Sequence, residues 1–143
     1  MLVINKIFTF CAAHRYYNPE LGEEGNRAAF GKDMRLHGHN YELTVGVTGE
    51  VNPQTGFLVD LDPLQDLVNA RVVEVLDHSR IDTDLPWFEH RQPSTENLLV
   101  WIWQELAPHI RGCRLVRLRL QETPTIFTEY YGPEATDKDL RLS

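Results

Sequence analysis

Apolar and polar positions alternate along four stretches of the chain and recur at helical spacing along two. In FTFCAAH, Phe8, Phe10, Ala12 and His14 share one parity, which predicts a strand with an apolar face. His14 ends that face, and Cys11 points the other way. In HGHNYELTVGVT, His37, His39, Tyr41, Leu43, Val45 and Val47 oppose Asn40, Glu42, Thr44 and Thr48, the pattern of a half-buried strand. EVNPQTGF is turn chemistry. Asp60 or Asp62 then caps a helix running to about Leu76, with Pro63 in its first turn. PSTENLLVWIWQEL predicts a second helix. Its N-cap is Ser94 or Thr95, with Glu96 or Asn97 in the first turn. CRLVRLRLQE alternates again: Val116, Leu118, Leu120 and Glu122 against Arg117, Arg119 and Gln121. ETPT turns the chain, and IFTEYYG is a last short strand. Residues 15–35, rich in Gly, Asn, Glu and Arg, read as a loop with room for one helical turn. DHSRIDTDLPWFEHRQP reads as a second loop. The order strand, strand, helix, helix, strand, strand predicts an α+β fold: a four-stranded antiparallel sheet with two helices on one face.

Length and composition narrow the class. A chain of 143 residues is expected to form a single domain, 1–143. A net charge of −7 argues against nucleic acid or an anionic membrane as partner. No apolar run approaches a membrane span. The N-terminus, MLVINKIFTFCAAHR, has no extended hydrophobic core of a signal peptide and reads as mature protein. Two cysteines, Cys11 and Cys113, make no disulfide framework, so a reducing cytoplasm is the expected location.

The candidate chemistry centres on GKDMRLHGHNY. His37 and His39 are two apart on an extended chain, so their side chains leave one face about 6.5 Å apart along the strand. Two rings at that spacing can each place a nitrogen about 2.0–2.1 Å from one zinc ion. Gly38 between them removes a side chain and frees the backbone. His14, at the end of an apolar face, is a candidate third ligand. Three neutral imidazoles leave a fourth zinc position open, the catalytic pattern. The plainer alternatives are a solvated turn for His-Gly-His and a core histidine for His14. Asp77-His78 is either a proton relay or a helix end followed by a loop. Glu122 lies in line with an apolar face, where a carboxylate is costly unless paired. It is either a ligand anchor or already beyond the strand in solvent. Arg117 and Arg119 form a solvated or subunit-facing stripe.

Together these segments resemble the 6-pyruvoyltetrahydropterin synthase / 6-carboxytetrahydropterin synthase family. The matching pieces are FTFCAAHR, HGHNYELTVGVTGEV, TGFLVDLDPL, VLDHSRID, PSTENLLVWIW and LRLQET, in family order over nearly the whole chain. The resemblance implies the tunnelling fold, in which subunits join their sheets into a barrel, usually as a hexamer of two stacked trimers with active sites at subunit interfaces. It implies zinc held by His14, His37 and His39. The implied substrate is a reduced pterin with a hydroxylated side chain, typically 7,8-dihydroneopterin triphosphate. Asp77 and His78 map to the family's proton-transfer pair. Glu122 maps to the carboxylate that anchors the pterin ring, with Thr95 in the same pocket.

Asp33 is the departure. The family usually carries a cysteine base four or six residues before His-Gly-His, and this chain has Asp33 there. Asp33 has three readings: a general base with a tuned pKa, a partner to a zinc ligand, or a structural loop residue. A variant group with glutamate at that position is associated with cleaving dihydroneopterin to 6-hydroxymethyldihydropterin for folate synthesis. The expected function is a zinc-dependent synthase or lyase on the dihydroneopterin side chain, of the 6-pyruvoyl- or 6-carboxytetrahydropterin type, the latter in queuosine synthesis. The alternatives are the carboxylate-based cleavage, a non-catalytic pterin-binding paralogue, or a purely structural zinc. Arg15, Arg27 and Arg35 stand near the loop as candidates to meet a triphosphate.

Overall fold

The computed structural model describes residues 1–135. Residues 136–143, part of the single-domain expectation, lie outside the described residues. The sheet has five strands, not four: β1 (Ile4–His14), β2 (His37–Thr48), β3 (Ser79–Arg80), β4 (Arg114–Thr123) and β5 (Ile126–Tyr130), in the order β3-β1-β2-β4-β5. The pairs β1–β2, β2–β4 and β4–β5 are antiparallel. The added strand β3 is two residues long and runs parallel to β1 beside Ala12 and Ala13. It escapes sequence analysis because two residues carry no periodicity.

Alternation buries Phe8, Phe10 and Ala12 from β1 and Tyr41, Leu43, Val45 and Val47 from β2. On β4 the expected parity holds at Leu118 and Leu120 but not at Val116. The β2–β4 register shifts there, from Gly46↔Arg117 to Val47↔Leu115, so Leu115 is buried instead. An extra residue in one strand flips the facing of everything beyond it.

The helices cover one face of this sheet. The helix α2 (Leu61–Val68) is capped by Asp60, whose side chain accepts from the Asp62 N–H at 3.1 Å. It runs through a π-helical stretch, Asn69–Val73, into a last turn, α3 (Glu74–Leu76). Leu64, Val68, Val72 and Leu76 point into the core. The helix α5 (Thr95–Leu106) adds Leu98, Ile102 and Leu106, and Ser94 is its N-cap, accepting from the Asn97 N–H.

Both expected loops carry helix. Within residues 15–35 lies α1 (Gly22–Phe30), flanked by 3-10 turns at Pro19–Leu21 and Gly31–Met34. Its two glycines hide it from propensity. It is anchored instead by the buried side chain of Asn26, and Gly31 ends it at φ 56°. Within 77–93, besides β3, there are α4 (Ile81–Asp84) and a 3-10 turn at Pro86–Phe88. Ile81, Leu85 and Phe88 fix this segment by burial.

Candidate metal centre

Strands β1 and β2 pair so that His14 lies opposite His37 and Ala12 opposite His39. The two-residue spacing puts His37 and His39 on the face that also carries His14. Gly38 suits the close approach there: a Cβ would stand 3.2 Å from the Ala12 carbonyl oxygen, a tight contact. The three imidazoles form one cluster, with ring centroids 4.6 to 5.1 Å apart. One ligand atom from each lies within 4.8 Å of the others.

The hydrogen bonds fix the tautomers. His14 Nδ1 donates to the Pro93 carbonyl at 2.8 Å, and His37 Nδ1 donates to the Arg35 carbonyl at 2.7 Å. Each ring then presents a bare lone pair at Nε2. Those two Nε2 atoms face each other at 3.1 Å. Two lone pairs this close repel unless a cation sits between them, and tetrahedral zinc spaces its nitrogens about 3.3 Å apart. His39 Nε2 is buried without a well-aligned hydrogen bond. The donor set therefore fits a divalent metal held by three neutral imidazoles. Burial, foremost, holds His14 and His39 below the usual histidine pKa, which keeps them neutral and able to ligate.

Glu122 closes one side. Its Oε1 lies 2.8 Å from His39 Nε2 and 3.8 Å from His14 Nε2. Its Oε2 accepts from the Thr95 hydroxyl at 2.6 Å. The β4–β5 register shifts between Gln121 and Thr123, around Glu122, and such an irregularity re-aims a side chain. Glu122 is thus neither in bulk solvent nor buried alone. Because Ser94 takes the cap, the Thr95 hydroxyl is free to hold this carboxylate.

Tyr16 and Tyr41 complete the wall. The Tyr16 ring lies 5.0 Å from His14 and stacks on Phe30 at 5.6 Å. The Tyr41 hydroxyl is 3.5 Å from His14 Nδ1. Burial, aided by the Glu122 charge, raises both phenols, so both stay protonated. Asp33 is exposed on the turn after α1, and its backbone carbonyl accepts from the Tyr16 N–H at 3.0 Å. Its charge is felt at both Tyr16 and His39. No local pattern in the sequence marks Tyr16, Phe30 or the Pro93 carbonyl.

Asp77 and His78 do not join the cluster. Asp77 Oδ1 accepts from the Cys11 N–H at 2.9 Å, and the His78 N–H donates to the Cys11 carbonyl. Cys11 is three residues before His14, roughly 10 Å along the strand, with its side chain on the opposite face. The pair is nonetheless built: Asp77 Oδ2 lies 2.9 Å from His78 Nδ1. These contacts, the Cys11 N–H foremost, hold the Asp77 carboxyl below its usual pKa. His78 has a left-handed backbone, φ 62°, and its side chain is 83% exposed. A strained backbone at a non-glycine residue concentrates at functional positions. Among the described residues no helix is long and apolar enough to cross a membrane.

A family model described as 6-pyruvoyl tetrahydropterin synthase matches residues 3–133. The human 6-pyruvoyl tetrahydrobiopterin synthase is 34% identical over 131 residues, covering 90% of each chain. The Drosophila melanogaster protein of that name is 32% identical over 87% of this chain and 76% of its own. Among solved structures, Caenorhabditis elegans 6-pyruvoyl tetrahydropterin synthase superposes with a TM-score of 0.85 at 29% identity, covering 92% of this chain and 95% of that one. A glutamate-to-alanine catalytic-residue mutant of Plasmodium vivax 6-pyruvoyltetrahydropterin synthase gives 0.63 at 17% identity, over 92% of this chain and 99% of that one, a likeness of fold alone.

Proposed function

Because the chain belongs to the 6-pyruvoyl tetrahydropterin synthase family, we propose that it is a zinc-dependent enzyme acting on the side chain of 7,8-dihydroneopterin or its triphosphate. We read the whole chain as one pterin-synthase-like domain. The observation that carries the proposal is the convergence of three imidazoles, two of them tautomer-fixed, with the Thr95-held Glu122 on one sheet face.

The residues divide the work by chemistry. His14, His37 and His39 would hold zinc, which as a Lewis acid would make the C–H beside the substrate's side-chain oxygens more acidic. Glu122 accepts two parallel hydrogen bonds from the pterin's amino and ring N–H groups, with Thr95 fixing its orientation. Asp33, on the turn after α1, accepts the proton from the side-chain carbon. Tyr16 and Tyr41, held protonated, do not compete as bases. Asp77 and His78 serve a second proton transfer. They are exposed at the sheet edge, so they serve the site of a neighbouring subunit in a homo-oligomer, the hexamer that the family resemblance implies.

One feature favours a second reading. A carboxylate stands where a cysteine base is usual, and the Plasmodium vivax synthase has a glutamate as its catalytic residue. Asp33 would then direct side-chain cleavage to a 6-hydroxymethyl pterin instead of elimination or conversion to a 6-pyruvoyl or 6-carboxy product.

The deciding experiment incubates zinc-loaded protein with 7,8-dihydroneopterin and, separately, with its triphosphate, and identifies products by mass. A 6-pyruvoyl or 6-carboxy pterin supports the synthase. A 6-hydroxymethyl pterin supports the carboxylate-based cleavage. Chelation with EDTA is expected to abolish either. Tight pterin binding with no product from either substrate would overturn the enzyme assignment in favour of a binding paralogue.

A further inference from the structure

We propose that Gln92 is a positioning residue for this site: its side-chain amide holds Tyr17, and through the adjoining Tyr16 it fixes the turn that carries Asp33.

After His14 the chain leaves the sheet, yet the backbone groups of Tyr17 and Asn18 and the Tyr16 N–H are all taken. The Tyr16 N–H donates to the Asp33 carbonyl at 3.0 Å. The Tyr17 N–H donates to Gln92 Oε1 at 3.2 Å, and Gln92 Nε2 donates back to the Tyr17 carbonyl at 3.0 Å. The next residue repeats the pattern. The Asn18 N–H donates to Asn26 Oδ1, and Asn26 Nδ2 donates to the Asn18 carbonyl, at 2.6 and 2.8 Å. Two consecutive residues thus each pair both backbone groups with one side-chain amide, much as they would with a neighbouring strand. Only an amide side chain offers a neutral donor and acceptor in one fork.

The segment is where three distant parts of the chain meet. Asn26 belongs to α1, and Gln92 precedes α5. Asp33 lies on the turn after α1, three residues past Phe30, whose ring stacks on Tyr16. Gln92 is itself anchored: Asn97 Nδ2 donates to its carbonyl at 3.0 Å. The next carbonyl, of Pro93, receives the His14 ring N–H. One dipeptide therefore sets the tautomer of His14 and the path of the segment that holds Asp33.

The energetics separate positioning from support. Tyr17 is exposed, so water can replace the Gln92 amide at little cost to global stability. What is lost is geometry, and a small misplacement of a reacting group costs on the order of 10- to 100-fold in rate.

The catalytic part of this inference rests on the proposed function, and the test keeps the two apart. Gln92→Leu and Gln92→Glu are compared with wild type for turnover, zinc content, and amide exchange with and without zinc. For Gln92→Leu, kcat is expected to fall about tenfold or more, with KM and bound zinc nearly unchanged. Exchange should rise in peptides covering residues 15–18 and 31–35 and stay unchanged in β2 and β4. Gln92→Glu keeps the acceptor for the Tyr17 N–H and loses the donor, so it should fall between. Wild-type exchange in both peptides of the leucine variant would overturn the inference. So would a rate loss that follows zinc loss in proportion. If the wild-type protein turns over no pterin, the proposed function fails by itself and the exchange data still decide the positioning role.

Discussion

His14 is the residue on which most of the site's chemistry depends. It is fully buried, and its one ring N–H is committed to the Pro93 carbonyl. Charging it would place a second proton on Nε2, facing His37 Nε2 at 3.1 Å. Burial holds His14 and His39 below the ordinary value of 6.5, so the unfolded chain binds protons more tightly than the folded one. The stability this gives is complete above about pH 6.5 and is lost as pH falls through the lower folded values. The metal-free protein in EDTA should therefore melt at a lower temperature at pH 5.5 than at pH 7.5, with a smaller drop in His14→Asn. A Tm that does not fall over that range would contradict the burial of neutral imidazoles at His14 and His39. Much at this scale is legible in sequence. His37 and His39 announce themselves by spacing, and Glu122 by its parity with Leu118 and Leu120. Tyr16 and Gln92 do not, because Tyr16 stacks on a residue 14 positions away and Gln92 bonds one 75 positions away.

Among the elements, the capped helices follow their sequence signals and the irregular segments do not. Asp60 starts α2 with a side-chain bond to the Asp62 N–H, and Ser94 does the same for α5. Asp60→Ala should cost about 1 kcal/mol in urea unfolding, the usual value of an exposed N-cap. A loss under about 0.3 kcal/mol would mean that packing of Leu64, Val68 and Leu76 alone defines that helix start. The helix α1 has the opposite character. Its sequence, GEEGNRAAF, carries two glycines and little apolar surface. It holds through Asn26, which donates to the Gly22 and Asn18 carbonyls and accepts from the Asn18 N–H. Two amide donors and one acceptor from a single buried side chain are a tertiary arrangement with no periodic signature, so propensity reads the segment as loop. The shifts at Val116 and Glu122 are similar. A bulge is decided by what two strands must each bury, and β4 alone shows only unbroken alternation.

For the whole molecule, the placement of the exposed Asp77-His78 pair matters most. Within one chain it abuts Cys11 at the sheet edge, away from the histidines. If it completes a neighbour's site, two inactive variants should complement each other. His78→Ala and His14→Ala, each near zero alone, should regain activity when co-expressed as mixed oligomers. Random assortment leaves roughly a quarter of the sites with both residues intact. No recovery in mixed oligomers of verified composition would place each site within one chain and overturn the assignment of Asp77 and His78 to a neighbour's site.

Local patterns along the chain were enough for the α+β layout, the starts of α2 and α5, the inward faces of β1 and β2, and the histidines and glutamate that share one face. These follow from short-range rules, in which a period of two or of 3.6 and a cap residue fix where side chains point. The tertiary structure decided the rest. It added the two-residue strand β3, turned two loops partly into helix, and shifted the register at Val116 and around Glu122. It bound His14 to Pro93, Tyr17 to Gln92 and Tyr16 to Asp33, and it separated Asp77-His78 from the imidazoles. Each of these depends on which backbone donor or acceptor is left unpaired once the sheet and helices have packed, a quantity that exists only when the chain has folded.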